Sequence, residues 1–391
     1  MASLTNADLE RLDRATAGVA APFAAVDLSA LRTNADDLVR RAGEMPIRVA
    51  SKSVRVRALL DETLRRRGFR GVMAYSLREA IWLAREGHDD ILMGYPSVDA
   101  LALAELSGDP RLARAITLMV DSAEHLELLA AAATGRQQLR VCLDVDASLR
   151  LGRVHLGVRR SPLRSPVDAA VLAEAAVTAG FAVVGLMFYD AQIAGLPDTS
   201  FAVRLVKQLS DRDLRARRSA VAEAVRSVSG VALEIVNGGG TGSLHITGQD
   251  PVLTELAAGS GLYGPTLFDG YRDFRPTPAA VFALPVVRRP GPGMVTAFGG
   301  GYVASGAPGW SRVPQPVAAQ RLRLRKNEGT GEVQTPLLGR AVDTMRLGDR
   351  VWLRHAKAGE LMERFTEVHL VEGERVTGTV PTYRGEGWSF G

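Results

Sequence analysis

Lysine is nearly missing from this chain. Of 48 Lys and Arg residues, only Lys52, Lys207, Lys326 and Lys357 are lysine. Arginine supplies charge but stays protonated, so it cannot form a Schiff base. Each lysine is therefore a candidate wherever a primary amine is needed. Cysteine is reduced to Cys142, which excludes an internal disulfide and suits a reducing cytoplasm. Apolar runs stop short of a membrane span, and the opening MASLTNADLERLDRATAG is charged and amphipathic, without a signal-peptide core. Five histidines (His88, His125, His155, His245 and His369) form no zinc spacing. The net charge is +5, yet the arginines alternate with acids and no aromatic-basic stripe accompanies them, which argues against a nucleic-acid partner. An arginine bias across a whole chain reads as genome composition.

What is present is a well-cored α/β pattern, with 46% hydrophobic residues. FAAVDL, IRVAS, GVMAY, ILMGY, ITLMV, LRVCLDVD, VVGLMFYD and LEIVNGG read as strands. SLREAIWLAREG, SAEHLELLAAAATG and PVDAAVLAEAAVTAG read as helices between them, apolar at i, i+3, i+4 and i+7. Eight evenly spaced strands with helices between them point to a parallel (β/α)8 TIM barrel, ahead of a doubly wound sheet. After about Pro276 the chain becomes rich in Gly and Pro, then turns to short strand-like runs, which predicts a C-terminal antiparallel β domain. The expected organisation is residues 1–21 as an N-terminal segment packing on the β domain, 22–282 as the barrel and 283–391 as the β domain.

Lys52 follows the short run IRVAS and precedes a helical pattern, at the strand end where barrels keep their chemistry. The run LEIVNGGGTGSLHI leads a strand into Asn237, Gly239, Gly240, Thr241, Gly242 and Ser243. Backbone amides in such a loop can approach a phosphate closely. It lacks the GK[ST] of a P-loop and the GxGxxG of a dinucleotide site. A second loop, with Gly259, Ser260 and Tyr263, follows at once. Paired glycine-rich loops after late strands suit the phosphate site of many barrels. The plainer alternative is two tight surface turns. His355 and Lys357, in DRVWLRHAKAGE, would share one face if the strand ran through them.

These segments together resemble the fold-type III pyridoxal phosphate enzymes, which join an alanine-racemase-like N-terminal barrel to a β domain. Within them the chain looks most like the D-threonine aldolase and D-serine dehydratase branch, which includes proteins called amino acid deaminase/aldolase. PFAAVDLSALRTNADDLVRRA resembles the opening strand and helix, through Asp27, Leu31 and Asn34. IRVASKSV resembles the strand of the Schiff-base lysine, which gives that role to Lys52. DVDASLRLG, with Asp146, Arg150 and Gly152, resembles the segment whose arginine approaches the cofactor ring oxygen. NGGGTGS and AGSGLYG resemble the phosphate loops, and Tyr189 fits the strand GLMFYDAQIAG.

The departures are specific. Ala50, Val54 and Gln192 stand where the branch often has histidine. Lys357 stands where a second metal ligand follows the histidine at His355. An ammonium has no lone pair to offer a metal. One reading is that Lys357 replaces the divalent metal as an electrostatic anchor; the other is that it is neutral and binds metal with His355. The resemblance implies pyridoxal 5'-phosphate, a β-hydroxy D-amino acid substrate, and aldol cleavage or dehydration as the reaction. It also implies a cytoplasmic homodimer acting on a small molecule, with no nucleic-acid or membrane partner. Racemisation is the alternative on the same scaffold, with Tyr302 or Tyr383 as the second base. A non-catalytic cofactor-binding protein is the other.

Overall fold

The computed structural model describes residues 4–133 and 137–390. The chain divides into two compact units. Of the described residues, one comprises 38–51, 62–133, 137–259 and 390; the other comprises 4–37, 52–61 and 260–389.

The strands in chain order begin with β1 (Phe23–Asp27), β2 (Ile47–Ala50), β3 (Phe69–Ala74), β4 (Ile91–Met93), β5 (Ile116–Val120) and β6 (Arg140–Asp144). A two-stranded hairpin follows, β7 (Leu149–Leu151) and β8 (Val154–Leu156). Then come β9 (Ala182–Phe188), β10 (Ile235–Gly238) and β11 (Glu255–Ala258). A closed barrel forms in the order β10-β11-β2-β3-β4-β5-β6-β9. Every barrel pair is parallel. Its strands are short and apolar because parallel strands are covered on both faces.

The helices between them start where local chemistry tells them to. Ser76, Ser122 and Ser165 each cap a helix by accepting an amide hydrogen bond from the third residue onward. Ser165 and Asp168 form a reciprocal capping box, with proline in the first turn. The long helix Phe201–Ser229 stops at Gly230, which takes the left-handed conformation at φ 69°. Cys142 is wholly buried between strands, and burial raises its thiol well above its usual range. It is a small core residue. Among the described residues no helix is long and apolar enough to cross a membrane.

In the other unit β1 lies in a mostly antiparallel sheet. It pairs antiparallel with Ala280–Gly291 and parallel with Glu367–Glu372. The N-terminal helix Asn6–Ala15 sets Leu9 and Leu12 into one cluster with Phe23, Val281 and Trp352. Trp352 stands edge-on to Phe23 at 5.5 Å and donates its indole N–H to Asp13 at 2.9 Å. A large ring is thereby buried with its one polar atom satisfied.

The barrel plus β domain is the architecture that the strand pattern predicts, with one exchange of strands. FAAVDL belongs to the β sheet, and the eighth barrel strand is ELAA (Glu255–Ala258). A strand of four residues without β-branching leaves almost no periodic signal. The apolar run of β1 is equally suited to any sheet that buries both its faces.

Candidate functional site

Within the barrel, the C-terminal strand ends carry polar side chains in series. Tyr95 follows β4, Asp121 follows β5, Asp144 ends β6, and Tyr189 and Asp190 follow β9. Asp121 lies 3.0 Å from Nδ1 of His125. Burial holds the Asp121 carboxyl above its usual range, against the pull of His125. Asp144 is half-buried, and its carboxyl is pushed up to about 7, first by burial and then by the charge of Asp121. The Arg160 guanidinium opposes that shift. Arg160 lies over the rings of Tyr189 and Tyr95, 5.2 and 5.7 Å from their centroids. Burial raises the Tyr189 phenol.

The glycine loop after β10 is shaped by close approach. Gly239 has φ +79°, a conformation that favours glycine. A Cβ on Gly240 would stand 2.8 Å from the Ala194 side chain and 3.8 Å from the Tyr189 ring. Arg41, itself buried, donates to the Thr241 carbonyl at 2.7 Å. From the other side a buried carboxylate grips the loop. Asp190 accepts from the hydroxyls of Ser243 and Thr247, at 3.2 and 2.6 Å. The Ser243 hydroxyl also accepts the Gly240 amide at 3.1 Å. Arg218, with no exposed surface, joins Asp190 to Asp250 at 3.1 and 3.2 Å. The Gly242 amide, on a buried residue, makes no hydrogen bond among the described residues. Asn237 lies deeper and donates to Glu255 at 2.7 Å. Arg150 lies on the β7–β8 hairpin and pairs with Asp146 at 2.7 Å. The guanidinium that meets Tyr189 is that of Arg160.

In the other unit, Lys52 occupies a single 3-10 turn, Ser51–Ser53, directly after β2. Tyr263 is fully buried and donates its hydroxyl to the Val54 carbonyl at 2.8 Å. Its ring meets His355 edge-on at 6.2 Å. The strand Arg350–Arg354 ends before His355, so strand alternation does not place His355 and Lys357. His355 is buried, and burial, with the charge of Arg354 beside it, drives its imidazole down to about 3. Lys357 donates to the hydroxyl of Ser305 at 3.2 Å. Ser260 begins a 3-10 turn directly after Gly259. Tyr302 packs its ring against Phe282 and Phe365, and Tyr383 is buried.

The structure thus groups Tyr189 with the Gly239–Ser243 loop, and ties the segment just after Lys52, at the Val54 carbonyl, to Tyr263, whose ring meets His355. Arg160, Asp121, Asp144 and Asp190 escaped the reading of the sequence. The three acids had a visible signal, since each closes an apolar strand run (ITLMVD, RVCLD, MFYD). Arg160 had none, because its position depends on how the hairpin folds back.

Each unit by itself carries a group that suits part of a phosphate-bearing aldehyde cofactor. A primary amine follows one strand end, and the tight glycine loop after another holds an amide without an acceptor. Among the described residues no group of three His, Cys, Asp or Glu is placed to hold a divalent metal, and Lys357 brings an ammonium to the position beside His355.

A D-threonine aldolase from Arthrobacter sp is 29% identical over 211 residues, 52% of this chain and 51% of that protein. The chain thus spans about half the length of this curated relative. The crystal structure of D-threonine aldolase from Filomicrobium marinum matches with a TM-score of 0.77 at 21% identity, over 94% of this chain and 96% of that one. D-threo-3-hydroxyaspartate dehydratase from Delftia sp. HT23 matches with a TM-score of 0.74 at 18% identity, over 93% and 97%. At these identities the two structures speak for the fold. The sequence pattern of the alanine racemase N-terminal domain matches residues 26–266, well over half the chain, and the chain belongs to that family.

Proposed function

We propose that this protein is a pyridoxal 5'-phosphate-dependent lyase acting on a β-hydroxy amino acid of D configuration. The observation that carries the reading is Lys52, one of four lysines in the chain, in a turn directly after a barrel strand. The glycine loop and the D-threonine aldolase relatives support it.

Lys52 would hold the cofactor's aldehyde. The Gly239–Ser243 loop, with Asn237 beneath it and Gly259, Ser260 and Tyr263 in the next segment, would serve its phosphate. Once bound, the cofactor supplies an electron sink for negative charge at the substrate Cα. The protein's own work is orientation and proton transfer. The amine of Lys52 accepts a proton from the substrate, at Cα or at the β-hydroxyl. Tyr189 and Arg160 offer an aromatic face and a cation at the end of β9, and Arg150 anchors the preceding hairpin through Asp146. His355 supports the segment carrying Lys357, whose ammonium steadies charge developing on the β-oxygen. Loss of the β-hydroxyl proton with Cα–Cβ cleavage gives glycine and an aldehyde. Loss of the Cα proton with departure of the hydroxyl as water gives, after hydrolysis, a keto acid and ammonia. A homodimer in the cytoplasm is part of this reading.

The experiment is product analysis with D-threonine and added pyridoxal phosphate, for the wild type and Lys52→Ala. The wild type is expected to yield glycine and acetaldehyde, or 2-oxobutyrate and ammonia. Lys52→Ala is expected to lose both the cofactor absorbance and turnover. Turnover retained in Lys52→Ala would remove the central assignment.

A further inference from the structure

The turn that carries Lys52 is braced from several directions. Arg55 closes it at φ 52°, in the left-handed region. A side chain with a Cβ is disfavoured there, and such a conformation persists where its surroundings over-determine it. Here they do. The Arg55 Nε donates to the Lys52 carbonyl at 3.1 Å. Its Nη1 pairs with Glu363 at 2.7 Å, and both side chains are largely buried. Its own carbonyl accepts the Tyr383 amide at 3.0 Å. One residue earlier, the Val54 carbonyl takes the Tyr263 hydroxyl at 2.8 Å. Facing the turn is Gly359, so close that a Cβ there would stand 2.8 Å from the Lys52 carbonyl oxygen and 2.7 Å from the Ser53 carbonyl carbon. Three of the four carbonyls from Lys52 to Arg55 are thus held by donors, and the segment between His355 and Glu363 closes over them.

A loop that merely links a strand to a helix does not need a strained arginine. A loop that must aim one side chain does, because a lysine stem has four rotatable bonds and its origin has to be fixed by the backbone. We infer that Arg55, held left-handed by Glu363 and the Tyr383 amide, is a positioning residue that sets the direction in which the Lys52 side chain leaves its turn. The inference rests on reading Lys52 as the lysine that meets the cofactor.

The test measures Lys52 directly rather than turnover. Full-length protein is mixed with pyridoxal phosphate and reduced with borohydride at intervals, and the pyridoxyl peptide is quantified by mass spectrometry from pH 6 to 9. Arg55→Val, Arg55→Gly and Glu363→Gln are compared with wild type, each checked for folding by circular dichroism. Valine resists the left-handed conformation, so labelling of Lys52 is expected to slow by about tenfold. Glycine adopts it freely, so Arg55→Gly is expected to label at least about threefold faster than Arg55→Val. Glu363→Gln is expected to fall between wild type and Arg55→Val. A folded Arg55→Val that labels like wild type overturns the inference. So does an Arg55→Gly as slow as Arg55→Val, because handedness would then not matter. If Arg55→Val does not fold, Glu363→Gln decides, and wild-type labelling in that variant overturns the inference. Wild-type protein labelled at a lysine other than Lys52 would instead refute the cofactor assignment itself.

Discussion

The two ends of the barrel treat charge differently. At the N-terminal end, Arg48 has no exposed surface and is fully matched. Its Nε and Nη2 donate to the two oxygens of Glu255 at 2.7 Å each, and Nη1 donates to Asp90 at 2.7 Å. Asn237 adds a third donor to Glu255. Burial opposes the Arg48 charge, but Glu255 and then Asp90 outweigh it and hold the guanidinium protonated above its ordinary range. At the C-terminal end the matching is partial: Asp190 is held by buried Arg218, while Asp144 has no ion pair among the described residues. Burial and then the charge of Asp121 push the Asp144 carboxyl up to about 7, and Arg160, whose charge opposes that shift, is exposed. Closed charge sets at one end serve the fold. At the other end burial leaves the Asp144 carboxyl holding its proton up to about pH 7, which suits a place of chemistry.

Breaking the closed end should cost the most stability. Arg48→Met leaves Glu255 buried with the Asn237 hydrogen bond and the half-exposed Arg70 guanidinium 3.8 Å away. Removing one member of a buried ion pair is expected to cost about 3–5 kcal/mol, read as a lowered denaturant midpoint. A loss under about 1 kcal/mol would mean that water or a shifted side chain replaces the guanidinium. Gly71→Ala attacks the same cluster without touching its charges. Gly71 has φ +64°, and a Cβ there would press on the Arg48 guanidinium and stand 2.6 Å from an Asp90 oxygen. The expected loss is about 2 kcal/mol, smaller because Asp90 is partly exposed and can yield. Unchanged thermal stability in Gly71→Ala would show that the cluster is looser than its distances indicate.

The same contrast governs what the sequence alone discloses. The barrel strands are written locally, in apolar runs bounded by turns, so seven of the eight are readable without a structure. The eighth, Glu255–Ala258, hides in a segment that looks like loop, and Phe23–Asp27 looks like barrel while pairing with Ala280–Gly291 and Glu367–Glu372. Hydrophobic pattern tells a strand that it is buried, not which neighbour buries it. At the candidate site, Lys52 stands out because lysine is scarce, and the glycine loop because its composition is local. The supports of both are non-local. Arg55 meets Glu363 more than 300 positions along the chain, and Asp190 meets Thr247 57 positions on. No spacing rule connects such pairs; the fold does.

The mouth can be tested by removing one of its unmatched acids. Asp144 has an unfolded-state value near 3.8 and is pushed up to about 7 in the fold. Between those values the folded chain holds a proton that the unfolded chain has released, so stability must fall as pH rises through that window. Asp144→Asn keeps the shape and has no proton to lose. Wild type should therefore be less stable at pH 8 than at pH 5, and the variant should narrow that gap. The full shift would correspond to about 4 kcal/mol, which partial solvent exposure reduces to about 1–2 kcal/mol. Denaturant midpoints at the two pH values measure it, with the variant the more stable at pH 8. An identical gap in both proteins would mean that Asp144 is ionised at little cost, and that the mouth is as well compensated as the opposite end. A narrowed gap, accompanied by loss of a rate inflection near pH 7, would tie the unmatched acid to the chemistry of the strand ends and separate it from the charges that hold the barrel together.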